Sequence, residues 1–298
     1  MRRFYCLLLL AACSRPRSVP VSVPDGSDRR VHIYVPDVPP GPTGLPLVVM
    51  LHGAKSTPDR TERGTGWTRL AHEEGFIVAY PEGIGRSWND GRSDAVPAAA
   101  KGADDIAWLG RVFDDLIARY PVDPHRIVLT GASNGGMLGW RWMCEGRGRA
   151  SVFAPVISGL PAPSAASCAP TPVATLVIQS GADPIVPITG GTVGRDRGAI
   201  ASTEDALAIA RKANGCPDTP TDTGTTDAVP NDQMSALRAT WSACTGPDVA
   251  HILLQGAGHL WPGGRQVLPA DTVGHVSPDI DGAREIWTFA ERTWSTAP

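Results

Sequence analysis

The chain of 298 residues lacks several features, and each absence narrows the field. Its net charge is only −3, and no basic stripe or aromatic-interleaved basic run occurs. A nucleic acid is therefore not expected as a partner. No repeat or heptad pattern is visible, which removes solenoids and coiled coils. No internal apolar run reaches the roughly 20 residues that a membrane-spanning helix needs. No C-x-x-C spacing exists and no histidine pair accompanies the cysteines, so a zinc site is a poor reading. What remains has ample length for one domain with a large core.

The most informative segment present is Arg126-Ile127-Val128-Leu129-Thr130-Gly131-Ala132-Ser133-Asn134-Gly135-Gly136-Met137. A short β-branched run meets Gly-x-Ser-x-Gly, and a helix-like stretch follows. This is the context of a nucleophile elbow, in which a serine sits on a tight strand-to-helix turn. Gly131 and Gly135 leave room for backbone there, and a helix starting near Asn134 aims N–H groups at a developing oxyanion.

A serine needs a base, and the base needs an orienting acid. The order Ser, Asp, His is satisfied by two later strand ends. Thr175 to Ser180 reads as a buried strand running into Gly181-Ala182-Asp183, and His251 to Gln255 as another running into Gly256-Ala257-Gly258-His259. Asp183 and His259 are thus the candidate acid and base. His275, in a late loop, is the rival to His259. His251 and His52 read as structural, and Asp218, Asp222, Asp227 and Asp248 as solvated. Leu45 to Leu51 is an apolar strand running into His52-Gly53-Ala54. Such a turn supplies a second oxyanion donor, so the expected pair is the N–H groups of Ala54 and Asn134.

These pieces resemble the secreted esterases that include bacterial poly(3-hydroxybutyrate) depolymerases and feruloyl or acetylxylan esterases. The resemblance runs in family order through Leu51-His52-Gly53, Tyr80-Pro81-Glu82-Gly83, Ser87-Trp88-Asn89, Asp104-Asp105-Ile106, Val122-Asp123-Pro124-His125-Arg126-Ile127, the Gly131–Met137 elbow, Gly181-Ala182-Asp183-Pro184-Ile185-Val186-Pro187 and Gly258-His259-Leu260-Trp261-Pro262-Gly263. It implies an α/β-hydrolase fold with a Ser133, Asp183, His259 triad cleaving carboxylic esters through an acyl-enzyme, without metal or organic cofactor. The expected partner is a small, polysaccharide-linked or polymeric ester. Ala54 departs from a frequent cysteine and Ile188 from a frequent tyrosine; the second change could alter the pocket. Two other classes are weighed: a serine peptidase of the same fold, and a non-catalytic surface binding lipoprotein.

Residues 1–13 read as a lipoprotein signal peptide. Met1-Arg2-Arg3 is a positive start, Phe4 to Ala12 a brief apolar core, and Leu10-Ala11-Ala12-Cys13 resembles a lipobox. Cys13 is the expected lipidation site and the sole expected link to a membrane, with 14–24 a flexible tether and 25–298 one catalytic domain ending at Pro298. Four cysteines remain, an even number that in an exported chain reads as disulfides. Three pairings are possible; neighbourhood favours Cys144–Cys168 and Cys216–Cys244.

Strand-like runs fall near 31–35, 47–51, 76–80, 126–130, 152–157, 175–179 and 251–255, and helix-like runs near 66–74, 104–119, 135–144, 203–213 and 282–293. Their alternation predicts a mostly parallel sheet covered on both faces. Residues 214–246 read as a polar insertion near the mouth of the site. Asp104 and Asp105 read as caps. Trp88 and Trp261 are the candidate substrate-binding residues, because an aromatic plane there could stack on a sugar, a ferulate ring or a polymer chain.

Overall fold

A computed structural model describes residues 16–24, 28–194 and 196–296. Cys13 and the rest of the expected signal peptide lie outside them. The strands are β1 Val19–Ser22, β2 Arg30–Tyr34, β3 Leu45–Leu51, β4 Ile77–Pro81, β5 Val122–Ala132, β6 Val152–Val156, β7 Ala174–Ser180, β8 Gly191–Thr192, β9 Ala199–Ile200, β10 Asp222–Thr226, β11 Ser235–Trp241 and β12 Val249–Gln255. Ten of them form one sheet in the order β1-β2-β4-β3-β5-β6-β7-β12-β11-β10, and β8 and β9 form a separate hairpin. The six central strands, β4 to β12 in that order, run parallel, while the outer pairs are antiparallel. The expected α/β architecture is present.

Helices of at least two turns are α1 Pro58–Thr65, α2 Trp67–Glu74, α3 Asp105–Arg119, α4 Asn134–Cys144, α5 Thr203–Asn214 and α6 Gly282–Thr296. Strand β3 shows why the central strands read as continuous apolar runs. Leu47, Val49 and Leu51 join one core cluster with Leu109, Val112 and Phe113 of α3 and Leu207 of α5. Val48 and Met50 join the other with Trp67 and Leu70 of α2 and Ile286 and Trp287 of α6. A strand buried on both faces has no polar side to show.

Two expectations are corrected. Residues 14–24 are not slack throughout, because Val19–Ser22 pairs with Arg30–Ile33 as an edge strand. Pro20 is tolerated there because one side of an edge strand needs no ladder donor. Residues 214–246 are not simply an insertion; they contain β10 and β11, which extend the sheet from β12. Asp-Thr-Gly-Thr-Thr in β10 is exposed and polar, so no burial pattern marks it, yet threonine suits a pleated edge. Both favoured disulfides, Cys144–Cys168 and Cys216–Cys244, are formed. Such bonds belong to an exported chain in an oxidising compartment.

Candidate active site

Ser133 joins β5 to α4 with φ 53° and ψ −121°, a conformation that side chains rarely adopt. Its glycine neighbours make the turn possible. A Cβ on Gly131 would lie 2.6 Å from the Gly135 carbonyl carbon, and one on Gly135 would lie 2.4 Å from the Leu51 carbonyl oxygen. Either clash would push α4 off the end of the sheet. The close approach lets Ser133 stand up, half-buried, at the carboxyl ends of the parallel strands.

The acid and the base reach the serine from the ends of β7 and β12, two and three strands along the sheet from β5. His259 Nε2 lies 2.9 Å from Ser133 Oγ, and His259 Nδ1 lies 2.7 Å from Asp183 Oδ2. The other carboxyl oxygen of Asp183 accepts the N–H groups of Ile185 and Val186, both at 2.8 Å. The acid is thereby fixed in rotamer and almost wholly buried. Backbone bonds tie the two loops together: Gly181 N–H donates to Leu254 O and Ala182 N–H to Ala257 O. The histidine loop leans on a second one, since Gly258 N–H donates to His275 O. A Cβ on Gly258 would meet Val273 O at 2.1 Å. His275 thus contributes its carbonyl, while its side chain is exposed, so the structure brings His259 and not His275 to the serine.

The turn after β3 lies against the elbow, where a Cβ on Gly53 would meet Ala132 O at 3.4 Å. Lys55 N–H is committed to Arg86 O at 2.7 Å and Ser56 N–H to Gly53 O. Ala54 N–H lies between them and has no backbone acceptor among the described residues. Asn134 N–H, at the first position of α4, is one of the donors that a helix leaves unpaired. The two expected oxyanion donors thus have no backbone acceptor among the described residues. His52 braces the turn, as its sequence context suggested. Its Nδ1–H donates to Gly53 O at 2.9 Å, and its Nε2 accepts Gly83 N–H at 3.0 Å. Burial pushes its pKa down to about 4, which keeps Nε2 an acceptor at neutral pH. His251, half-buried in β12, is also pushed down to about 4 by desolvation.

Neither tryptophan is placed as a substrate wall. Trp88 is fully buried. Its indole N–H donates to His52 O at 2.8 Å, and its ring lies 4.8 Å from the His52 ring. Trp261 is 9% exposed, joins the core cluster of α2 and α6, and packs where a Cβ on Gly282 would meet its Nε1 at 3.2 Å. Both rings are consumed by packing, which corrects the substrate-binding expectation. Asp104 caps α3 through Ala107 N–H, as expected. Asp105 does more: it is buried, ion-paired with Arg29, and accepts Asn89 N–H at 2.6 Å.

The sequence reading missed the side chain of Asn134. Its Oδ1 accepts Trp88 N–H at 2.7 Å; its Nδ2 donates to Trp88 O at 3.0 Å and to Asp90 Oδ2 at 2.7 Å. Asp90 is fully buried, and desolvation raises its carboxyl pKa against the opposing pull of Arg92, whose Nε lies 3.3 Å away. Nothing in the spacing marks Asp90; only its adjacency to the Ser87-Trp88-Asn89 run could have drawn notice.

Comparison with known proteins places the chain among esterases. The bifunctional acetylxylan esterase/xylanase XynS20E of Neocallimastix patriciarum is 29% identical over 271 residues, covering 90% of this chain and 34% of that protein. Poly(3-hydroxyalkanoate) depolymerase C of Paucimonas lemoignei is 32% identical over 104 residues, 34% of this chain and 25% of that one. The chain thus spans about a third and a quarter of the lengths of these relatives. Among solved structures, an acetyl xylan esterase from Aspergillus awamori superposes with a TM-score of 0.57 at 15% identity, covering 88% of this chain and 94% of the other. That likeness carries the fold. A family model described as esterase PHB depolymerase matches residues 32–189, from within β2 to just past the Asp183 turn. The chain belongs to this family of ester hydrolases.

Proposed function

We propose that Ser133, His259 and Asp183 hydrolyse carboxylic esters through an acyl-enzyme. Ser133 Oγ attacks the ester carbonyl while His259 Nε2 takes its proton. Asp183 holds the imidazole through Nδ1 and stabilises its cationic form. The N–H groups of Ala54 and Asn134 receive the oxyanion. His259 then protonates the leaving alcohol, and water repeats the cycle on the acyl group. The single observation that carries this reading is the bonded series from Asp183 to His259 to Ser133 at 2.7 and 2.9 Å.

The substrate class we favour is a soluble short-acyl or aryl ester rather than a crystalline polymer. In support, both tryptophans near the site are withdrawn into the core. Met137, one turn after Ser133, packs with Val186, Val193 and Ile200 and fills the flank of the elbow with the protein's own side chains. Labelling by a fluorophosphonate, lost on Ser133→Ala, tests the nucleophile; a binding module would not label. Rates on p-nitrophenyl acetate and butyrate, methyl ferulate, acetylated xylan, crystalline polyhydroxybutyrate and a peptide amide test the class. Faster turnover of the polymer or the amide than of every soluble ester would overturn it.

We further propose that the exported chain is lipid-anchored at Cys13 and that residues 25–298, together with edge strand β1, form one catalytic domain. Strand β1 runs in the same direction as β5, since β1 opposes β2 and β2 opposes β4. The chain therefore enters β1 from the side away from Ser133, and an anchor there would leave the catalytic end facing away from the membrane. Mass spectrometry of the mature amino terminus tests the anchor; a free terminus other than Cys13 on a soluble protein would refute it.

A further inference from the structure

We infer that Asn134, Trp88 and Asp90 form a bracket that fixes the separation of the two oxyanion donors, and that these three are positioning residues for the hydrolysis. The inference rests on the triad and oxyanion reading given above and deepens it. Asn134 supplies one donor from its backbone, and its side chain supplies the first arm of the bracket. The amide closes a two-way bond on the peptide of Trp88, accepting Trp88 N–H at 2.7 Å and donating to Trp88 O at 3.0 Å. The second arm is the Trp88 indole, whose N–H holds the carbonyl of His52 at 2.8 Å. The His52 ring then holds Gly53 O, one residue before the second donor, and is itself pinned by Gly83 N–H. An unbroken run of bonds thus leads from Asn134 to the Gly53–Ala54 peptide.

Asn134, Trp88, Asp90 and His52 are all buried, so water does not compete for their side chains and their bonds have a definite geometry. Asp90 anchors the first arm. Its Oδ2 takes the remaining Nδ2 proton of Asn134 at 2.7 Å, and its Oδ1 accepts Arg92 N–H at 3.1 Å. A buried carboxyl is costly to keep. Here it decides which way the Asn134 amide faces, because a flipped amide would set its oxygen against the carboxyl. Oxyanion stabilisation depends on donors that are already in place when charge develops. A loosened bracket should therefore weaken binding of the transition state and leave binding of the ground-state ester nearly unchanged.

The experiment uses the full mature protein and four variants: Ser133→Ala, Trp88→Phe, Asn134→Asp, and the exchange Asn134→Asp with Asp90→Asn. Trp88→Phe deletes the indole N–H; Asn134→Asp sets a carboxyl oxygen against Trp88 O as well as against the Asp90 carboxyl; the exchange restores a donor facing an acceptor between positions 134 and 90 alone. Folding is checked by near-ultraviolet dichroism, and kcat, KM and affinity for a trifluoromethyl ketone, whose serine adduct carries an oxyanion, are measured. The expected result is a drop in kcat of about 10- to 100-fold in Trp88→Phe and Asn134→Asp, at or below the effect of losing a donor outright. KM should stay within about twofold and ketone affinity fall in step with kcat/KM. The exchange should recover part but not all of the Asn134→Asp loss, because Trp88 O still faces an oxygen in place of its donor. If Ser133→Ala is inactive while folded Trp88→Phe and Asn134→Asp turn over normally, the bracket fails and the triad stands. The bracket also fails if KM alone rises, or if the exchange is no better than Asn134→Asp. An active Ser133→Ala protein would overturn both readings. If Trp88→Phe does not fold, the comparison of Asn134→Asp with the exchange decides.

Discussion

The loops carrying Trp88 and Trp261 look alike in sequence, each placing a tryptophan near a functional turn, yet they hold their rings differently. The Trp88 indole N–H is bonded to His52 O, and its own peptide is gripped by Asn134. The Trp261 indole N–H is buried without a partner among the described residues. The first ring is part of a polar network with a defined geometry; the second contributes apolar area alone. The first lies on the side that supplies the oxyanion donors, and the second follows the base. A buried tryptophan beside an active site can therefore be a geometric part or a filler, and the fate of its N–H tells which.

The largest effects should come from the residues where the two sides meet. Ser133→Ala should lower kcat by several orders of magnitude without unfolding the protein, and His259→Ala by a similar factor, because triad members act as a unit. Asp183→Asn should cost less but still about three to four orders, through the wrong imidazole tautomer. Steady-state kinetics on a soluble ester checks all three. An inactive His275→Ala beside a normal His259→Ala would replace the base.

The legible part of this molecule was the part where one residue type is demanded by backbone. Gly131, Gly135 and Gly258 leave space for backbone atoms that a Cβ would strike, and so mark the elbow and the histidine loop in the sequence itself. The central strands were legible because burial on both faces leaves continuous apolar runs. Strands β1 and β10 were not, because an exposed edge strand carries no such run and is defined by its neighbour. The roles of Trp88 and Asp90 were hidden for another reason. Their partners in the bracket stand 36 to 46 residues away, and no local pattern encodes a hydrogen bond across that distance.

One disulfide lies behind each side, so breaking them separately sharpens the comparison. Cys144–Cys168 closes the end of α4, which carries the elbow, and Cys216–Cys244 joins the end of α5 to the end of β11 next to β12. Their sequence separations are 24 and 28 residues. Replacing either pair by alanine should lower unfolding free energy by about 3–4 kcal/mol in the chain-entropy model. Denaturant titration measures this. If the elbow is held mainly by its bracket, the protein lacking Cys144–Cys168 should keep near-normal kcat while it stays folded; a large loss of kcat would show that the disulfide positions α4.

Acid should strain both sides through two desolvated histidines. His52 and His251 have pKa values near 4 in the folded protein, below the ordinary 6.5. The unfolded chain therefore binds more protons between those values, and stability falls as pH drops through that window. Each histidine contributes up to about 3 kcal/mol of loss by pH 4, at about 1.4 kcal/mol for each pH unit. Buried Asp90 and Asp105 act in the opposite sense, because their raised pKa values favour the folded state on protonation. The clean measurement is a difference: His251→Gln should flatten the slope of unfolding free energy between pH 6.5 and 5 relative to the parent. Parallel slopes would remove His251 from the account.

The smallest effect should be that of Trp261→Phe, and it is the sharpest test of the contrast between the two rings. The replacement loses packing area against α6, which destabilises, but it also removes an indole N–H that is buried with no acceptor among the described residues. Leaving such a donor unsatisfied costs about 1–3 kcal/mol, so its removal offsets much of the lost packing. The net change in stability should lie within about 1 kcal/mol, whereas Trp88→Phe deletes a bond that is made. Kinetically, Trp261→Phe should scale the rates on p-nitrophenyl acetate and methyl ferulate by the same factor, because the ring packs on Gly282 rather than on the substrate. A selective rise in KM for the aromatic ester would return Trp261 to substrate recognition, since a ring that only packs has no means of telling one ester from another.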